Sequence, residues 1–89
     1  MVKVWVKLPG LSHLLDGEKE IILEAINVID VLEKMKSRYA QFRQVAFNSK
    51  TDRLHPEFLL FVNGKPVYDH TKKLKNGDEI MILPIFAGG

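Results

Sequence analysis

The side chains that most often carry out chemistry are present in this sequence, but their spacing gives them no common site. The three histidines, His13, His55 and His70, lie in separate predicted loops without the short spacing of metal ligands, and the chain has no cysteine to complete a tetrahedral site. None of the three serines stands in the glycine-flanked turn that presents a nucleophile. We therefore predict no metal site and no active site built from internal side chains.

The last two residues, Gly88 and Gly89, offer a different reactive group, which is the carboxylate at the end of the chain. A carboxylate must be activated before it accepts sulfide or an amine, and activation requires that it reach the α-phosphate of a nucleotide deep in another enzyme's pocket. Glycine narrows a chain end to bare backbone and permits extended conformations that are closed to other residues. The predicted reactive group is therefore the Gly89 carboxylate.

Hydrophobic periodicity predicts the strands that would hold this chain end in place. Alternation at period two predicts strands at residues 2–8 and 18–24, and apolar runs predict strands at residues 58–62 and 79–83. Asn63 and Gly64 form a two-residue hairpin signal, which predicts a short partner strand at residues 65–68. Because the last strand is apolar on both faces, we expect it to lie inside a sheet with both faces covered.

One amphipathic helix is expected between the second and third strands. Asn27 fits the N-cap position, and Lys36 falls on the polar side of the helix. The apolar stripe consists of Val28, Leu32, Met35 and Tyr39. Residues 40–56 carry a weak pattern, so we expect a long connection there with at most a short extended piece at residues 45–47.

This order of elements predicts an α+β fold, with a mixed sheet of four to five strands and one main helix packed on one face. A chain of 89 residues has room for one core only. We assign residues 1–84 to this domain and residues 85–89 to a flexible C-terminal tail that ends in the two glycines. The predicted core between helix and sheet consists of Val4, Val6, Ile21, Leu23, Leu32, Met35, Leu60, Val62, Ile80 and Ile82.

Composition and charge argue against two classes of partner. The formal net charge is +2, but the basic residues are interleaved with acidic ones, which is typical of a solvated surface and not of a nucleic-acid interface. No uncharged apolar run approaches the length that crosses a bilayer, and the first residues do not resemble a signal peptide. We expect a cytoplasmic protein that binds neither nucleic acid nor membrane.

The sheet face away from the helix is predicted to bind a partner. Alternation along the strands leaves apolar side chains pointing outward there, and the tail adds one more. These residues are Trp5, Leu59, Phe61, Met81, Leu83 and Phe86. The alternative is that residues 40–56 fold back over them, because monomers rarely leave large apolar patches bare.

Four short motifs give the chain a family resemblance. FVNG at residues 61–64, LKNGDEI at 74–80, LP at 83–84 and AGG at 87–89 resemble the small subunit of molybdopterin synthase. The likeness extends to the thiamine-pathway sulfur carrier and the ubiquitin-related modifiers. The resemblance implies a ubiquitin-like β-grasp fold. One departure is Ile85, where many members have a second proline.

The resemblance also implies a carrier function and two protein partners. A ubiquitin-activating-type enzyme would use ATP to adenylate Gly89, a sulfur donor would convert it to a thiocarboxylate, and Gly88 would provide clearance. The large subunit of molybdopterin synthase would then take the sulfur for the molybdenum or tungsten cofactor. On this interpretation the chain is a carrier and not an enzyme, and it binds no cofactor itself.

Three alternatives stay open at the level of sequence. The same adenylate serves a modifier that is joined to lysines through Gly89, because nothing in the chain decides whether sulfide or an amine attacks. The thiamine pathway would use an equivalent carrier. A plain interaction domain with an incidental diglycine is also compatible with this fold, because a fold alone does not determine function.

Overall fold

The computed structural model describes residues 1–85 and forms one mixed five-stranded sheet. The strands are β1 (Val2–Lys7), β2 (Ile21–Ala25), β3 (Phe58–Val62), β4 (Lys65–Pro66) and β5 (Glu79–Pro84); the helices are α1 (Val28–Arg38) and α2 (Ala40–Ala46). A 3₁₀ turn spans Ser12–Leu15. The strand order is β2-β1-β5-β3-β4, with β5 parallel to β1 and antiparallel to β3. The predicted α+β class and mixed sheet are confirmed.

The sheet buries one face completely against the helices. Val4, Val6, Ile80 and Ile82 on the two central strands are all fully buried there. Every residue of the predicted core is at most 7% exposed, because strand alternation and the helical stripe select the same interior. The last strand lies between β1 and β3, as its apolar sequence predicted, but the helices cover only one of its faces.

Two strand boundaries differ from prediction by more than one residue. β2 begins at Ile21 and not at residue 18, because residues 18–20 are exposed and the antiparallel ladder starts where Ile21 meets Val6. β4 ends at Pro66 and not at residue 68, since Phe61 and Val62 supply its two ladder positions. Pro66 lacks a backbone donor, and beyond it one further hydrogen bond, from the Val67 amide to the Leu60 carbonyl at 2.9 Å, joins the two segments.

Helix α1 begins where its cap predicts. The Asn27 side-chain oxygen accepts a hydrogen bond from the Asp30 amide at 2.9 Å, and the Asp30 carboxylate accepts one from the Ile26 amide at 3.0 Å. The helix ends at Arg38, and Tyr39 has extended backbone angles, with φ −123° and ψ 103°. Tyr39 is nevertheless 3% exposed, so the predicted stripe is buried even though its last member lies outside the helix.

The prediction for residues 40–56 was wrong. The segment forms the seven-residue helix α2, and in place of the extended piece at residues 45–47 only Phe47 makes an isolated bridge, with Leu54. Phe42 and Ala46, one helical turn apart, are fully buried in the core, whereas Val45 is 49% exposed. The helix buries only two residues and has no side-chain cap, so its apolar stripe is too short to be recognised as helical periodicity in the sequence.

Lys36 is buried, contrary to its predicted place on the polar side of α1. Its ammonium lies 3.1 Å from a Glu33 carboxylate oxygen and 3.0 Å from one of Asp52, and 4.9 Å from the centre of the Phe47 ring. Burial lowers the pKa of Lys36, but the hydrogen bonds that its ammonium donates to Asp52 and Glu33, together with the negative charges of these two carboxylates, outweigh burial, so the net pKa is raised. The lysine thereby ties the connection after α2 to α1.

None of the helices in residues 1–85 combines the length and the apolar character needed to span a membrane.

Candidate functional site

Five of the six predicted partner-binding residues lie together on the sheet face away from the helices. Trp5, Leu59, Phe61, Met81 and Leu83 are each partly exposed and alternate with core residues along β1, β3 and β5; we call this set the outer face. Met81 lies opposite Phe61, and Leu83 lies opposite Leu59. Directly paired strands are about 4.8 Å apart, so these four side chains form one continuous apolar block.

Charged residues border this block on the β1 and β2 side. Lys7 is the β1 neighbour of Met81, and its ammonium lies 3.6 Å from a Glu20 carboxylate oxygen. Both groups are more than one-third exposed, so this ion pair contributes little stability. Glu79 is the β5 neighbour of Trp5. An apolar centre with a charged border is the usual anatomy of a protein-binding surface.

Ile22 extends the outer face beyond the residues that we had assigned to it. It lies on the edge strand β2 directly opposite Trp5 and is 51% exposed. The signal was present in the sequence, because alternation places Ile22 between Glu20 and Glu24 on the side away from the core. Because Glu20 and Glu24 share this side with Ile22, the side was interpreted as polar, and Ile22 was not assigned to the partner-binding surface.

Helix α2 does not cover the outer face. It packs against α1 and the 3₁₀ turn, and Phe42 and Phe47 belong to the core. The alternative that residues 40–56 fold back over the apolar patch is therefore contradicted. The two rings contact each other edge-on, with centroids 5.4 Å apart, on the helix side of the sheet.

The motifs that carried the family resemblance fix the start of β5. The Asn63 side chain accepts a hydrogen bond from the Glu79 amide at 2.9 Å and donates one to Asp78 at 2.9 Å, and Asp78 in turn accepts one from the Lys75 amide at 2.8 Å. Asn63 and Gly64 have φ of 52° and 82°, which the two-residue hairpin requires. The side chains of Asn63 and Asp78 therefore hold the first residue of β5 in place beside the β3–β4 turn.

The other end of β5 leads to Ile85, the last residue that the structure describes. Pro84 pairs with Phe58, and the Ile85 amide donates one further hydrogen bond to the Glu57 carbonyl. Leu83, a member of the outer face, is thus only two residues from Ile85, the last described residue that is hydrogen-bonded to the neighbouring chain segment. Ile85 itself is 45% exposed.

Three predicted site residues, Phe86, Gly88 and Gly89, lie outside the described residues. Beyond the Ile85 anchor, an extended chain advances about 3.3 to 3.6 Å per residue, so four residues span at most about 14 Å. Among residues 1–85, no group of three His, Cys, Asp or Glu side chains is placed to hold a metal ion.

The fold and the family can now be stated. A mixed five-stranded sheet in this order, with its helices on one face, is a ubiquitin-like β-grasp domain. The family model described as "ThiS family" matches residues 6–89, so the chain belongs to that family. The resemblance drawn from the motifs is confirmed.

Solved structures of similar proteins fall into more than one functional group. Small archaeal modifier protein 1 of Methanosarcina acetivorans has 31% identity and a TM-score of 0.81, covering 100% of this chain and 98% of that one. The BexX/CysO complex of Amycolatopsis orientalis contains a chain with 28% identity and a TM-score of 0.78, covering 97% of this chain and 99% of that one.

A third similar structure comes from Pyrococcus furiosus, a protein proposed to be subunit 1 of molybdopterin converting factor. It has 27% identity and a TM-score of 0.74, covering 97% of this chain and 100% of that one. A comparison with the sequences of curated proteins gave no significant match.

Proposed function

We propose that this protein is a sulfur carrier for molybdopterin biosynthesis whose working group is the Gly89 carboxylate. The observation that carries the proposal is the adjacency of two features, an apolar outer face and Ile85, the residue from which the C-terminal segment with Gly89 continues. Membership of the ThiS family supports a carrier, and the similarity to the Pyrococcus furiosus protein supports the molybdopterin pathway. We propose that the protein acts in the cytoplasm.

The proposed chemistry takes place in two steps on partner proteins. In the first step a carboxylate oxygen of Gly89 attacks the α-phosphorus of ATP in a ubiquitin-activating-type enzyme, and pyrophosphate leaves. In the second step a hydrosulfide ion supplied by the donor attacks the acyl carbon, the C–O bond to AMP breaks, and loss of the proton from sulfur leaves the thiocarboxylate. The sulfur comes from a separate donor, because this sequence contains no cysteine. The chain itself is a carrier, and ATP is bound by its partner.

The outer face is the proposed docking surface for both partners. The block of Leu59, Phe61, Met81 and Leu83 provides apolar contact area, and Phe86 would extend it along the tail. A partner docked there fixes the distance from Ile85 to its own active site, so the tail delivers the carboxylate to a defined depth. We propose the activating enzyme and then the large subunit of molybdopterin synthase as successive occupants.

A second candidate function is conjugation to lysines of other proteins through Gly89. It is favoured by the 31% identity to the archaeal modifier protein, which exceeds the identity to the molybdopterin-related structure. Both functions require the same adenylate, and they differ in whether sulfur or an amine attacks it. A thiamine-pathway carrier would share the sulfur step and differ in the acceptor.

The experiment that tests the proposal is ATP–pyrophosphate exchange by the cognate activating enzyme. Removing Gly89 withdraws the carboxylate by about 3.3 Å, which is enough to abolish reaction, because reacting atoms must approach to about 3 to 3.5 Å. Adding one alanine after Gly89 overshoots the nucleotide and places a β-carbon where glycine gave clearance. Gly88→Ala keeps the length and narrows the clearance.

All three variants are expected to melt at the wild-type temperature and to lose exchange severely. Stability is the internal control, since the described core ends before the tail begins. Wild-type exchange by the variant without Gly89 would refute activation at the chain end and leave a plain interaction domain as the better account.

A further inference from the structure

Four lysines converge at the end of the sheet that is remote from the tail. Lys65 lies on β4, and Lys72, Lys73 and Lys75 lie in the segment between β4 and β5; we call these four residues the lysine pole. All four are exposed, and together they line a depression of about 230 Å³. The depression adjoins the start of β5, and the six residues of that strand place Pro84 at its other end about 17 Å away.

The backbone of the lysine pole is fixed to the domain. The Leu74 amide donates to the Ile26 carbonyl at 3.0 Å, and the Lys72 carbonyl accepts from the Val28 amide at 3.3 Å. Leu74 is 6% exposed and so anchors the segment in the core between two exposed lysines. The charges are therefore presented from a preorganised backbone, which lowers the entropy cost of binding.

None of these four ammonium groups forms an ion pair with a carboxylate of residues 1–85. Within residues 1–85, no carboxylate oxygen lies within 4.0 Å of any of the four ammonium nitrogens. Asp78 also lines the depression, but its two oxygens accept hydrogen bonds from Asn63 and from the Lys75 amide.

We propose that the lysine pole is a docking surface for an acidic segment of a partner protein, one that carries several Asp or Glu residues in a short stretch. Charge complementarity gives the sign of the partner. The backbone favours carboxylates over phosphate as the negative groups of the partner. The amides of Lys72, Leu74 and Lys75 already donate hydrogen bonds within the domain, so they form no cluster of free N–H groups that could bind a phosphate.

Nucleic acid fits the lysine pole less well than an acidic protein segment does. The residues that line the depression include no aromatic side chain on which a base could stack and no arginine to bind a phosphate with two hydrogen bonds. What remains is a set of separate point charges on long stems, which suits carboxylates that are spread along a flexible segment.

The position of the pole gives the interaction a role that the outer face does not have. A partner held at the pole leaves Leu59, Leu83 and Ile85 uncovered, because these residues lie at the other end of β5. The acidic partner and an enzyme that engages the tail therefore bind at the same time.

The test is fluorescence anisotropy with a labelled oligoglutamate peptide at low salt. The pole variant replaces Lys65, Lys72, Lys73 and Lys75 with glutamine. The matched control replaces four other exposed basic residues and has the same net charge; it carries Lys19→Gln, Arg43→Gln, Lys50→Gln and Arg53→Gln. We expect the pole variant to bind at least about tenfold more weakly than wild type and the control to bind within about threefold of it.

Three outcomes would overturn the proposal. One is equal loss in the two variants, which would show that only net charge matters. Another is the absence of wild-type binding, and the third is tighter binding of inorganic phosphate or oligothymidylate than of oligoglutamate. The double variant Lys65→Glu with Lys75→Glu provides a second test should the fourfold variant fail to fold. Deletion of Gly89 is expected to leave binding of the peptide unchanged.

Discussion

Phe61→Glu is the substitution that should separate partner binding from folding most clearly. Phe61 belongs to the apolar block of the outer face and lies between Met81 on β5 and Pro66 on the edge strand β4, and neither neighbour carries a charge. Glu at this position would place a carboxylate in the middle of the apolar block. At Met81 the same substitution would stand beside Lys7, which would partly compensate the new charge.

The expected magnitudes differ between binding and stability. A central aromatic residue at a protein interface contributes about 2 to 4 kcal/mol, which corresponds to about 30-fold to 900-fold in Kd. Phe61 is already partly exposed, so replacing it should lower the free energy of unfolding by only about 1 to 2 kcal/mol. This is less than the burial of a whole aromatic side chain contributes. A domain of this size is usually stable by more than that, so the variant should remain folded.

The assay is isothermal titration of the cognate activating enzyme with each variant, alongside a urea denaturation curve. Val45→Glu is the matched control, because Val45 is 49% exposed on α2 and the substitution introduces the same charge on the helix side. We expect Phe61→Glu to lose binding at least about 30-fold and Val45→Glu to keep it. If Phe61→Glu bound like wild type, or if both variants lost binding equally, the outer face would not be the docking surface.

Three further predictions concern the core, alkaline pH and the tail anchor. Leu32→Ala should lower the free energy of unfolding by about 2 to 5 kcal/mol in urea denaturation, because Leu32 is 6% exposed, and a wild-type curve would contradict the core assignment. Tyr39→Phe should be neutral or stabilising, because the buried Tyr39 hydroxyl has no hydrogen-bond partner among the described residues. Burial also raises the pKa of Tyr39, so wild type should lose stability above about pH 10, where the unfolded phenol ionises first, and the variant should show a smaller loss. Ile85→Pro removes the donor to Glu57 but introduces the proline that the family resemblance places at this position, so ATP–pyrophosphate exchange and the melting temperature should both stay near wild type; a severe loss of exchange would show that this anchor positions the tail.

Much of the fold was predictable because local and long-range requirements agree in its strands. The alternation of β1 and the two-faced apolarity of β5 select the core and the position of β5 in the sheet without reference to any other segment. The Asn27 cap and the Asn63 turn are likewise local signals, and both appear where they were expected.

The errors in prediction arise where one residue's environment is made by distant parts of the chain. Lys36 is buried because Asp52 and Phe47 come from the connection that follows α2, and no helical pattern contains that information. Helix α2 depends on the insertion of Phe42 and Ala46 into the core, and tertiary packing of this kind stabilises a helix too short to form by itself.

Alternation alone predicted the outer face. Ile22 was omitted because its neighbours on the same side of the strand, Glu20 and Glu24, made that side appear polar. The lysine pole was visible as a basic cluster at residues 72–75, but its fourth member comes from β4. Only the fold brings Lys65 to the other three lysines. The sequence also gave no indication that Asp78, which follows the cluster, is engaged by Asn63 and the Lys75 amide.

The most direct measurement of the central claim is the intact mass of the protein purified from its native host, with fragmentation of the C-terminal peptide. We predict a population in which one oxygen is replaced by sulfur, with the exchange located on the Gly89 carboxyl group. A Gly-Gly remnant on lysines of other proteins, without any thiocarboxylate, would support the modifier in place of the carrier. Finding neither product, in cells that express the protein, would contradict activation at the chain end altogether.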